Sequence, residues 1–298
     1  MDTPTSPAPA EVSNRYRAAA SQAAPAPPFG AVIALKPTVH AKSRLATLPD
    51  PLRRRLAWTM AVDTLRVVGQ VAGHVVVVSD QPGLATALRA HGLCHEVVPE
   101  PGRSGLNAAL SHGASLLRKS GWSSVFACVG DLPALRPEST QSVLAAGSRF
   151  QRSFLADASG IGTTMLLSTR DDLGPHFQGR SAAAHRATGA VALTDELIGH
   201  SVADARRDVD SEVDLGDALR LGLGPLTAAL FDLDSQSLGR YSTITVGQLT
   251  GHDHVAVTSE GYKILLPHTA LDPLFRKVST GQRLHAVVAA DRALSAWL

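Results

Sequence analysis

The stretch Val125-Phe126-Ala127-Cys128-Val129-Gly130-Asp131-Leu132-Pro133-Ala134-Leu135 decides the fold of this chain. Its uncharged apolar run predicts a buried strand, and a carboxylate follows where that run ends. Open α/β sheets keep their ligands at the carboxyl ends of such strands. We therefore expect Asp131 to hold a cation at the sheet edge, or else merely to cap the next turn.

Apolar runs and helical periods alternate on both sides of this stretch. Strands are predicted at 31–35, 74–79, 95–98, 125–129, 154–157 and 163–167, and helices at 52–68, 85–91, 106–117, 181–186 and 212–221. Strands that are apolar on both faces and separated by helices indicate a mostly parallel sheet covered on both sides. The fold class is thus an α/β three-layer sandwich. Asp208-Val209-Asp210 is expected to end its last strand.

Composition divides the chain into three parts. Residues 1–28 are rich in Pro, Ala, Ser and Thr, and we expect a disordered tail because they offer few large apolar side chains to bury. Residues 29–228 are predicted to form the catalytic domain. Residues 231–298 contain short alternating runs joined by glycine-containing turns, which are typical of a small antiparallel β-barrel.

Charge and cysteine usage narrow the class of protein. A formal net charge of +2 over 298 residues does not by itself indicate nucleic acid as a partner. No apolar run reaches the ~20 residues that span a bilayer, and the N-terminus lacks a secretion signal pattern. Cys94 and Cys128 lack the spacing of zinc ligands, so we expect structural thiols in a reducing environment and a cytoplasmic protein.

Cations follow the first predicted strand. Lys36, Lys42 and Arg44 lie within one loop, which favours a polyphosphate site, although a solvated basic loop is the alternative. Further along, Gly105 and Asn107 begin a helix whose amides could bind an anion while Asn107 contacts a base. Neither a Walker motif nor GxGxxG is present, which disfavours P-loop ATPases and Rossmann dehydrogenases.

Hydroxyl and carboxylate groups complete the candidate site. Thr163 follows a glycine-rich turn and could bind a small phosphorylated acid, or the turn could be a plain hairpin. Ser181 is expected to cap a short helix, with His185 one turn further on as a surface or packing histidine. The spacing of Asp208 and Asp210 places both on one face, where they would complement Asp131 as Mg²⁺ ligands; capping and pairing with nearby arginines is the alternative.

Taken in order, these motifs resemble the guanylyltransferases of deazaflavin coenzyme F-420 biosynthesis. The resemblance covers roughly residues 29–225 and rests on Lys36 with 41–45, 78–80, 105–109, 130–135, 157–164, Ser181 with His185, and 208–211. It implies a nucleotide-diphospho-sugar transferase-like fold and transfer of GMP from GTP to phosphoenolpyruvate or 2-phospho-L-lactate, with release of pyrophosphate.

The resemblance also implies residue roles. The implied catalytic residues are Lys42, Arg44 and Asp131; the nucleotide-binding residues are Lys36, Ser79, Gly105 and Asn107; the acceptor-binding residues are Thr163, Gly179 and Ser181; and the Mg²⁺ ligands are Asp131, Asp208 and Asp210. This chain departs from the family at Gln178, where a glycine-rich stretch is usual, and at Ser211, where a threonine is usual.

Two rival functions remain open at this point. One is a molybdopterin-type nucleotidyltransferase of the same fold, disfavoured because the first loop is not rich in glycine. The other is nucleic-acid binding through the C-terminal barrel, which resembles cold-shock domains but offers few aromatic residues for stacking. We favour an accessory or interface role for the barrel and phosphoenolpyruvate as the acceptor. We also expect that a downstream deazaflavin transferase consumes the unstable product and that the chain can form homo-oligomers.

Overall fold

The computed structural model describes residues 28–36, 42, 45, 48–102, 105–170, 172–232, 237–272 and 277–298. Except for Pro28, the predicted N-terminal tail lies outside the described residues, and so does Arg44. Among the described helices, none is both long enough and apolar enough to cross a membrane.

One sheet organises the N-terminal part of the chain. Its strands are β1 (Phe29–Ala34), β2 (His74–Val78), β3 (Glu96–Val98), β4 (Ser124–Cys128), β5 (Arg152–Ala156), β6 (Thr163–Ser168) and β7 (Val191–Ala192). They lie in the order β3-β2-β1-β4-β6-β5-β7. Strands β1 to β4 are parallel, and β6 runs antiparallel to both of its neighbours. The predicted mostly parallel sheet is confirmed.

Helices cover both faces of this sheet. They are α1 (Asp50–Val71), α2 (Leu84–Ala90), α3 (Gly105–Lys119), α4 (Pro137–Gly147), α5 (Ser181–Ala187), α6 (Asp195–Ile198), α7 (Ala203–Arg206), α8 (Glu212–Leu221) and α9 (Pro225–Ala228). Alternate residues of β1 enter opposite cores: Ile33 packs with α1, α2 and α4, and Val32 packs with α3. Each such buried side chain contributes roughly 1.5–3 kcal/mol, so both layers stabilise the sheet.

Helix α3 lies unusually close to the sheet at Gly113. A Cβ atom there would come within 2.4 Å of Val32 and 2.9 Å of Val78. A glycine inside a helix costs ~1 kcal/mol of helix propensity, but it is the residue that permits this contact. The close approach brings the first turns of α3 to the carboxyl edge of β1 and β2.

The segment at 208–210 is not a strand, so that prediction is wrong. Residues 207–210 are irregular, and Val209 donates its backbone N–H to the carbonyl of Asp131 at 3.1 Å. The Val209 side chain is fully buried among the residues of α1, α8 and the barrel. One hydrogen bond and one buried side chain therefore hold this segment against the end of β4 without a ladder of pairs.

The C-terminal part forms a closed barrel. Its strands are β10 (Arg240–Thr250), β11 (Asp253–Thr258), β12 (Lys263–Leu266), β13 (Arg283–Ala289) and β14 (Arg292–Trp297), and the two-stranded pair β8 (Phe231–Asp232) and β9 (Ser237–Leu238) precedes it. The order around the barrel is β10-β11-β12-β14-β13, with β12 and β14 parallel and the other pairs antiparallel. This confirms the small barrel of the predicted fold class.

The barrel packs on helix α1. Trp297 and Val287 share one buried cluster with Leu52 and Leu56 of α1 and with Leu45. At the same contact the Arg55 guanidinium pairs with Asp272 and lies over the Trp297 ring, 5.4 Å from its centroid. The two halves thus meet through both apolar and charged contacts.

Candidate functional site

A cavity of about 870 Å³ opens at the carboxyl edge of the sheet. Asp131 follows β4 and Asp157 follows β5, while β6 is reversed and therefore begins at this same edge with Thr163. The topology alone thus brings two carboxylates and a hydroxyl into one cavity. Its volume is within the ~300–1,000 Å³ range of small-molecule sites.

Lys42 lies between two of the predicted carboxylates. Its Nζ forms an ion pair with Asp131 and another, at 3.1 Å, with Oδ1 of Asp210. Burial alone would lower the pKa of Lys42, but the two carboxylates more than reverse this effect and its pKa is raised. Lys42 therefore remains a cation near neutral pH. Its φ of 59° is in the left-handed region, which a lysine rarely adopts.

Asp208 and Asp210 both line the cavity, as their period-two spacing predicted. Val209 between them is directed into the core, so the two carboxylates share the opposite face. Burial, followed by the charges of Asp131, Asp157 and Asp210, raises the pKa of Asp208 to about 7. Among the described lining residues, the four carboxyl groups of Asp131, Asp157, Asp208 and Asp210 face three cations, Lys36, Lys42 and Arg180.

Ser211 confirms its prediction as a helix cap. Its hydroxyl accepts a hydrogen bond from the backbone N–H of Asp214, and the Asp214 carboxylate accepts one from the backbone N–H of Ser211 at 2.9 Å. This reciprocal pair is a capping box at the start of α8. It fixes where α8 begins, and hence where the preceding Asp210 lies.

Asp157 organises the glycine-rich turn that precedes Thr163. Its carboxylate accepts hydrogen bonds from the backbone N–H groups of Ile161 at 3.0 Å and Gly162 at 2.9 Å. A Cβ at Gly162 would lie 2.4 Å from Oδ2 of Asp157, so this close approach requires a glycine. The sequence placed Asp157 in a motif but not among the site residues. The charge of Asp157 nevertheless acts on Asp208.

Thr163 and His185 form a buried pair beside the cavity. Oγ1 of Thr163 lies 3.0 Å from Nδ1 of His185, and Nε2 of His185 accepts a hydrogen bond from the backbone N–H of His176 at 2.8 Å. His185 is fully buried, and its ring contacts Phe177 edge-on with centroids 5.3 Å apart. Of the two alternatives predicted for His185, a surface or a packing histidine, the packing histidine is confirmed. Burial, aided by His176 and Arg152, lowers the pKa of His185 to about 4.

The segment after Phe177 forms another wall. Gln178, Gly179, Arg180 and Ser181 all line the cavity. Gln178 has a φ of 86° and Gly179 a φ of 58°, so Gln178 adopts a backbone conformation that glycine accepts more readily. Ser181 is the first residue of α5 and not its cap, so that prediction is wrong. The backbone N–H of Ala182 instead donates to the carbonyl of Ile161 at 3.0 Å.

The residues expected to bind nucleotide do not all line the cavity. Lys36 lines the cavity, whereas Ser79, Gly105 and Asn107 are not among its described lining residues. Ser79 accepts a hydrogen bond from the backbone N–H of Gln81. The Asn107 side chain is hydrogen-bonded to the backbone of Phe177: Oδ1 accepts from the N–H at 2.7 Å, and Nδ2 donates to the carbonyl at 3.1 Å. Neighbours of these residues, Gln81 and Leu106, line the cavity instead.

Several lining residues lie outside the motifs, whereas Leu106 lies within the motif at 105–109. Trp58, Ala57 and Ala61 of α1 form one wall, and Leu106 and Leu110 of α3 form another. Gln81 also contributes, two residues after Ser79. Apolar residues in a helix are most often core residues, so helical periodicity alone could not distinguish these from their buried neighbours. The short segment 78–81, with its polar side chains after a buried strand, was the available signal for Gln81.

No group of three or more His, Cys, Asp or Glu side chains is arranged as a metal site among the described residues. The Lys42 ammonium is located between Asp131 and Asp210, where a shared cation would bind both carboxylates. The donor set itself, with Asp131, Asp208 and Asp210 in one cavity, consists of the oxygen ligands that Mg²⁺ prefers.

Comparison with known proteins gives consistent matches. Residues 29–226 match the family model described as "Guanylyl transferase CofC like". A phosphoenolpyruvate guanylyltransferase of Streptomyces coelicolor is 45% identical over 204 residues, which cover 67% of this chain and 93% of that protein. The Salinispora arenicola protein of the same name is 41% identical over 215 residues, covering 70% and 96%.

Solved structures also match part of this chain. A crystal structure assigned to the nucleotide-diphospho-sugar transferases, from Desulfovibrio desulfuricans, has a TM-score of 0.48 and 14% identity, covering 64% of this chain and 86% of that one. A nucleotidyl transferase from Methanothermobacter has a TM-score of 0.43 and 18% identity, covering 64% and 98%.

Proposed function

The chain belongs to the CofC-like guanylyl transferase family, and on that premise we propose that it transfers GMP from GTP to phosphoenolpyruvate and releases pyrophosphate. The observation that carries the proposal is the convergence of Lys42, Asp131, Asp208 and Asp210 in one cavity at the sheet edge. Phosphoenolpyruvate is the preferred acceptor because the similar proteins from Streptomyces coelicolor and Salinispora arenicola carry its name.

The reaction joins two anions and needs little proton transfer. A phosphate oxygen of the acceptor attacks the α-phosphorus of GTP, the new P–O bond forms in line, and the bond from that phosphorus to the bridging oxygen of the β-phosphate breaks. A phosphate monoester is largely dianionic near pH 7, so no protein base is required. The barrier comes mainly from alignment and charge repulsion, which positioned cations and donors reduce.

Lys42 is suited to the nucleotide phosphates. Its ammonium is fixed at the carboxyl edge of β4 by Asp131 and Asp210, and it remains charged because these carboxylates raise its pKa. Lys36 lies on the same rim. Arg44, two residues after Lys42 in the sequence, is proposed to assist, as the family resemblance implies, although it lies outside the described residues. The apolar residues Trp58, Leu106 and Leu110, from two walls of the cavity, suit the flat face of a base.

The carboxylates fit a divalent cation. Asp131, Asp208 and Asp210 supply hard oxygen donors, and the pKa of Asp208 is raised first by burial and then by the neighbouring carboxylates. We assign Mg²⁺ to these residues. When bound, the ion would neutralise charge that develops on the phosphates.

We assign the acceptor to the part of the cavity that Thr163, Gly179 and Ser181 line. Thr163, Ser181 and the backbone around Gly179 offer hydroxyl and amide donors, and Arg180 adds a cation at the rim. Phosphoenolpyruvate carries a phosphate and a carboxylate, both of which such donors bind. The product is a reactive diphosphate, so we also propose that a deazaflavin transferase consumes it.

A product analysis tests the assignment. The full chain is incubated with GTP, Mg²⁺ and one acid at a time: phosphoenolpyruvate, 2-phospho-L-lactate or 3-phosphoglycerate. We expect a guanosine diphosphate ester of phosphoenolpyruvate, identified by mass, together with one pyrophosphate per turnover. Absence of acid-dependent pyrophosphate release with all three acids would contradict the proposal.

Replacement of Asp131 tests the site itself. Asp131→Asn keeps the shape of the side chain but removes its charge, so we expect turnover to fall by at least about 10²-fold, the scale of losing one preorganised charge contact. Circular dichroism should show an intact fold. Asp291→Asn is the matched control, because Asp291 is exposed in a turn of the barrel and should keep full activity. Near-normal turnover of Asp131→Asn would remove it from the site.

A further inference from the structure

We propose that His185 is a positioning residue, which fixes the Thr163 hydroxyl as a hydrogen-bond donor directed toward the acceptor. The identity of the acceptor rests on the proposed function, whereas the role of His185 rests on the geometry of its contacts. The starting observations are the contact of 3.0 Å between Nδ1 of His185 and Oγ1 of Thr163, and the contact of 2.8 Å between Nε2 and the backbone nitrogen of His176.

The backbone contact determines which ring nitrogen carries the proton. A backbone N–H can only donate, so Nε2 of His185 must present a lone pair to His176. In a neutral imidazole the remaining proton is then on Nδ1. Full burial of the ring among aromatic side chains favours this neutral form. His185 therefore donates from Nδ1 to Thr163.

The proton on Nδ1 determines how the Thr163 hydroxyl forms hydrogen bonds. A hydroxyl has one proton to donate, and Oγ1 already accepts a hydrogen bond from the Nδ1–H group. Its own proton must point away from the imidazole, and Thr163 lines the cavity beside Gly162 and Ser181. A hydroxyl without such a partner could turn either way, whereas this one presents a donor. A preorganised donor favours anionic oxygen without reorienting during the reaction.

The same histidine also holds the segment that leads to Gln178 and Gly179. The His176 N–H bonds to His185, and the next residue, Phe177, is bound at both its N–H and its carbonyl by Asn107 of α3. Two side chains from different helices thus hold consecutive peptide groups just before Gln178 and Gly179. His185 thus contacts both Thr163 and this segment, which keeps its Asn107 hydrogen bonds when the imidazole is replaced.

His185 is not a base for the reaction. Both ring nitrogens are engaged, one by Thr163 and one by His176, and the side chain is fully buried. It acts only through Thr163 and the adjacent loop. That distinction decides the design of the test, since a base and a positioning residue respond differently to substitution.

Two amide variants separate its two hydrogen bonds. In His185→Asn the side-chain amide reaches the position of Nδ1, so the donor to Thr163 is retained and the acceptor for His176 is lost. In His185→Gln the amide reaches the position of Nε2, so the reverse holds. We expect His185→Gln to raise KM for phosphoenolpyruvate about tenfold, the cost of one lost bond to an anion, with KM for GTP unchanged. His185→Asn should keep KM for phosphoenolpyruvate near that of the unmodified protein.

An equal rise in both variants would mean that the role is only structural and would overturn the proposal. A second measurement does not depend on these variants folding or on the proposed reaction. Nitrogen-15 NMR of histidine-labelled full chain, without substrates, reports which ring nitrogen is protonated; His185→Asn identifies its signal by loss. A proton on Nδ1 supports the proposal, and one on Nε2 overturns it. If no acid is guanylylated while Nδ1 is protonated, the proposed function fails and the assignment of the proton stands.

Discussion

Lys42 shows how one residue can depend on its neighbours for both charge and conformation. Its backbone is in the left-handed region, where a lysine costs of order 1 kcal/mol or more, and its ammonium is paired with Asp131 and Asp210. Such strain persists where surrounding contacts hold it and is common at functional sites. Because Lys42 binds the same carboxylates that we assign to Mg²⁺, the lysine and the divalent ion should compete.

Lys42→Met tests that competition. Removing the ammonium should tighten Mn²⁺ binding in the absence of GTP by about tenfold, a coupling of ~1.4 kcal/mol, while turnover falls. Calorimetric or magnetic resonance titration of Mn²⁺ measures the affinity. Lys36→Met is the matched control, because Lys36 lines the cavity at its exposed rim, and its Mn²⁺ affinity should be unchanged. Unchanged or weaker Mn²⁺ binding by Lys42→Met would show that the two do not compete.

The buried state of His185 makes stability depend on pH. Its pKa is lowered from 6.5 to about 4 in the folded protein, so the unfolded chain binds one more proton between these values. The contribution of His185 to the free energy of unfolding is fully present above pH 6.5. It is lost as the pH falls toward 4, at a limiting slope of ~1.4 kcal/mol per pH unit.

The comparison with His185→Asn isolates this contribution. Urea unfolding at pH 7, 6 and 5 should show a smaller loss of unfolding free energy for His185→Asn than for the unmodified protein. Burial also lowers the pKa values of His91, His95 and His285, but these residues are present in both proteins and cancel in the difference. Parallel stability curves for the two proteins would show that His185 is readily protonated in the fold.

Residue spacing predicted some of the site and missed the rest for a physical reason. Asp131, Asp208 and Asp210 could be placed because each adjoins a buried apolar residue that fixes its direction. Asn107 could not, since its partner Phe177 is distant in sequence and its amide is bound only once the two segments meet. Contacts of that kind leave no periodic pattern in the chain.

The segment from Phe177 to Ser181 illustrates a conflict between local conformation and sequence. Gln178 has a φ of 86°, yet glutamine pays a steric cost there of roughly 1–2 kcal/mol that glycine avoids. Glycine in turn loses more entropy on folding, roughly 0.5–1 kcal/mol. The departure of this chain from a glycine-rich segment therefore preserves the conformation of the turn at a net cost.

Gln178→Gly should accordingly stabilise the fold by about 0.5 kcal/mol, the difference between those two effects. Thermal and urea unfolding of the full chain measure it. Gln178→Ala is the matched control, because it removes the side chain but keeps the Cβ atom, and it should bring no gain. A glycine variant less stable than the alanine variant would indicate that the turn is not strained at Gln178.

Elements with a strong local signal were predicted more closely than those held by distant contacts. Helix α8 begins after its Ser211 cap and extends from Glu212 to Leu221, as predicted. The strand expected at 208–210 is instead irregular, because Val209 makes one bond to Asp131 and its side chain fills a cluster shared with the barrel. An apolar residue between two polar ones has the same pattern in either case, so the sequence could not distinguish them.

At the scale of the molecule, helix α1 connects the barrel to the cavity. Leu52 and Leu56 pack with Trp297, while Trp58 of the same helix lines the cavity. Tyr241 also packs against this cluster, so two of the barrel's aromatic residues serve the contact with α1. Tyr262 is 62% exposed, and Phe275 lies outside the described residues. This use of the aromatic residues supports the accessory role that we propose for the barrel over base stacking.

The ion pair between Arg55 and Asp272 offers the sharpest test of that role. Both side chains are at least nine-tenths buried, and Arg55 also donates to the Ser295 hydroxyl at 3.2 Å. Removing one charge of a buried pair costs roughly 3–5 kcal/mol because the other stays desolvated, whereas replacing both with apolar residues is often neutral. Asp272→Asn should therefore lower the unfolding free energy by about 3 kcal/mol, at the lower end of that range.

The double variant Arg55→Met with Asp272→Leu should recover most of this loss, and Asp291→Asn, an exposed change on the same barrel, should cause none. Urea unfolding of the full chain measures all three. Because α1 also forms a wall of the cavity, we expect Asp272→Asn to raise KM for GTP as well, and the double variant to restore it. If Asp272→Asn were destabilised while KM stayed unchanged, the barrel would support the fold without influencing the cavity, and the accessory role would be confined to stability.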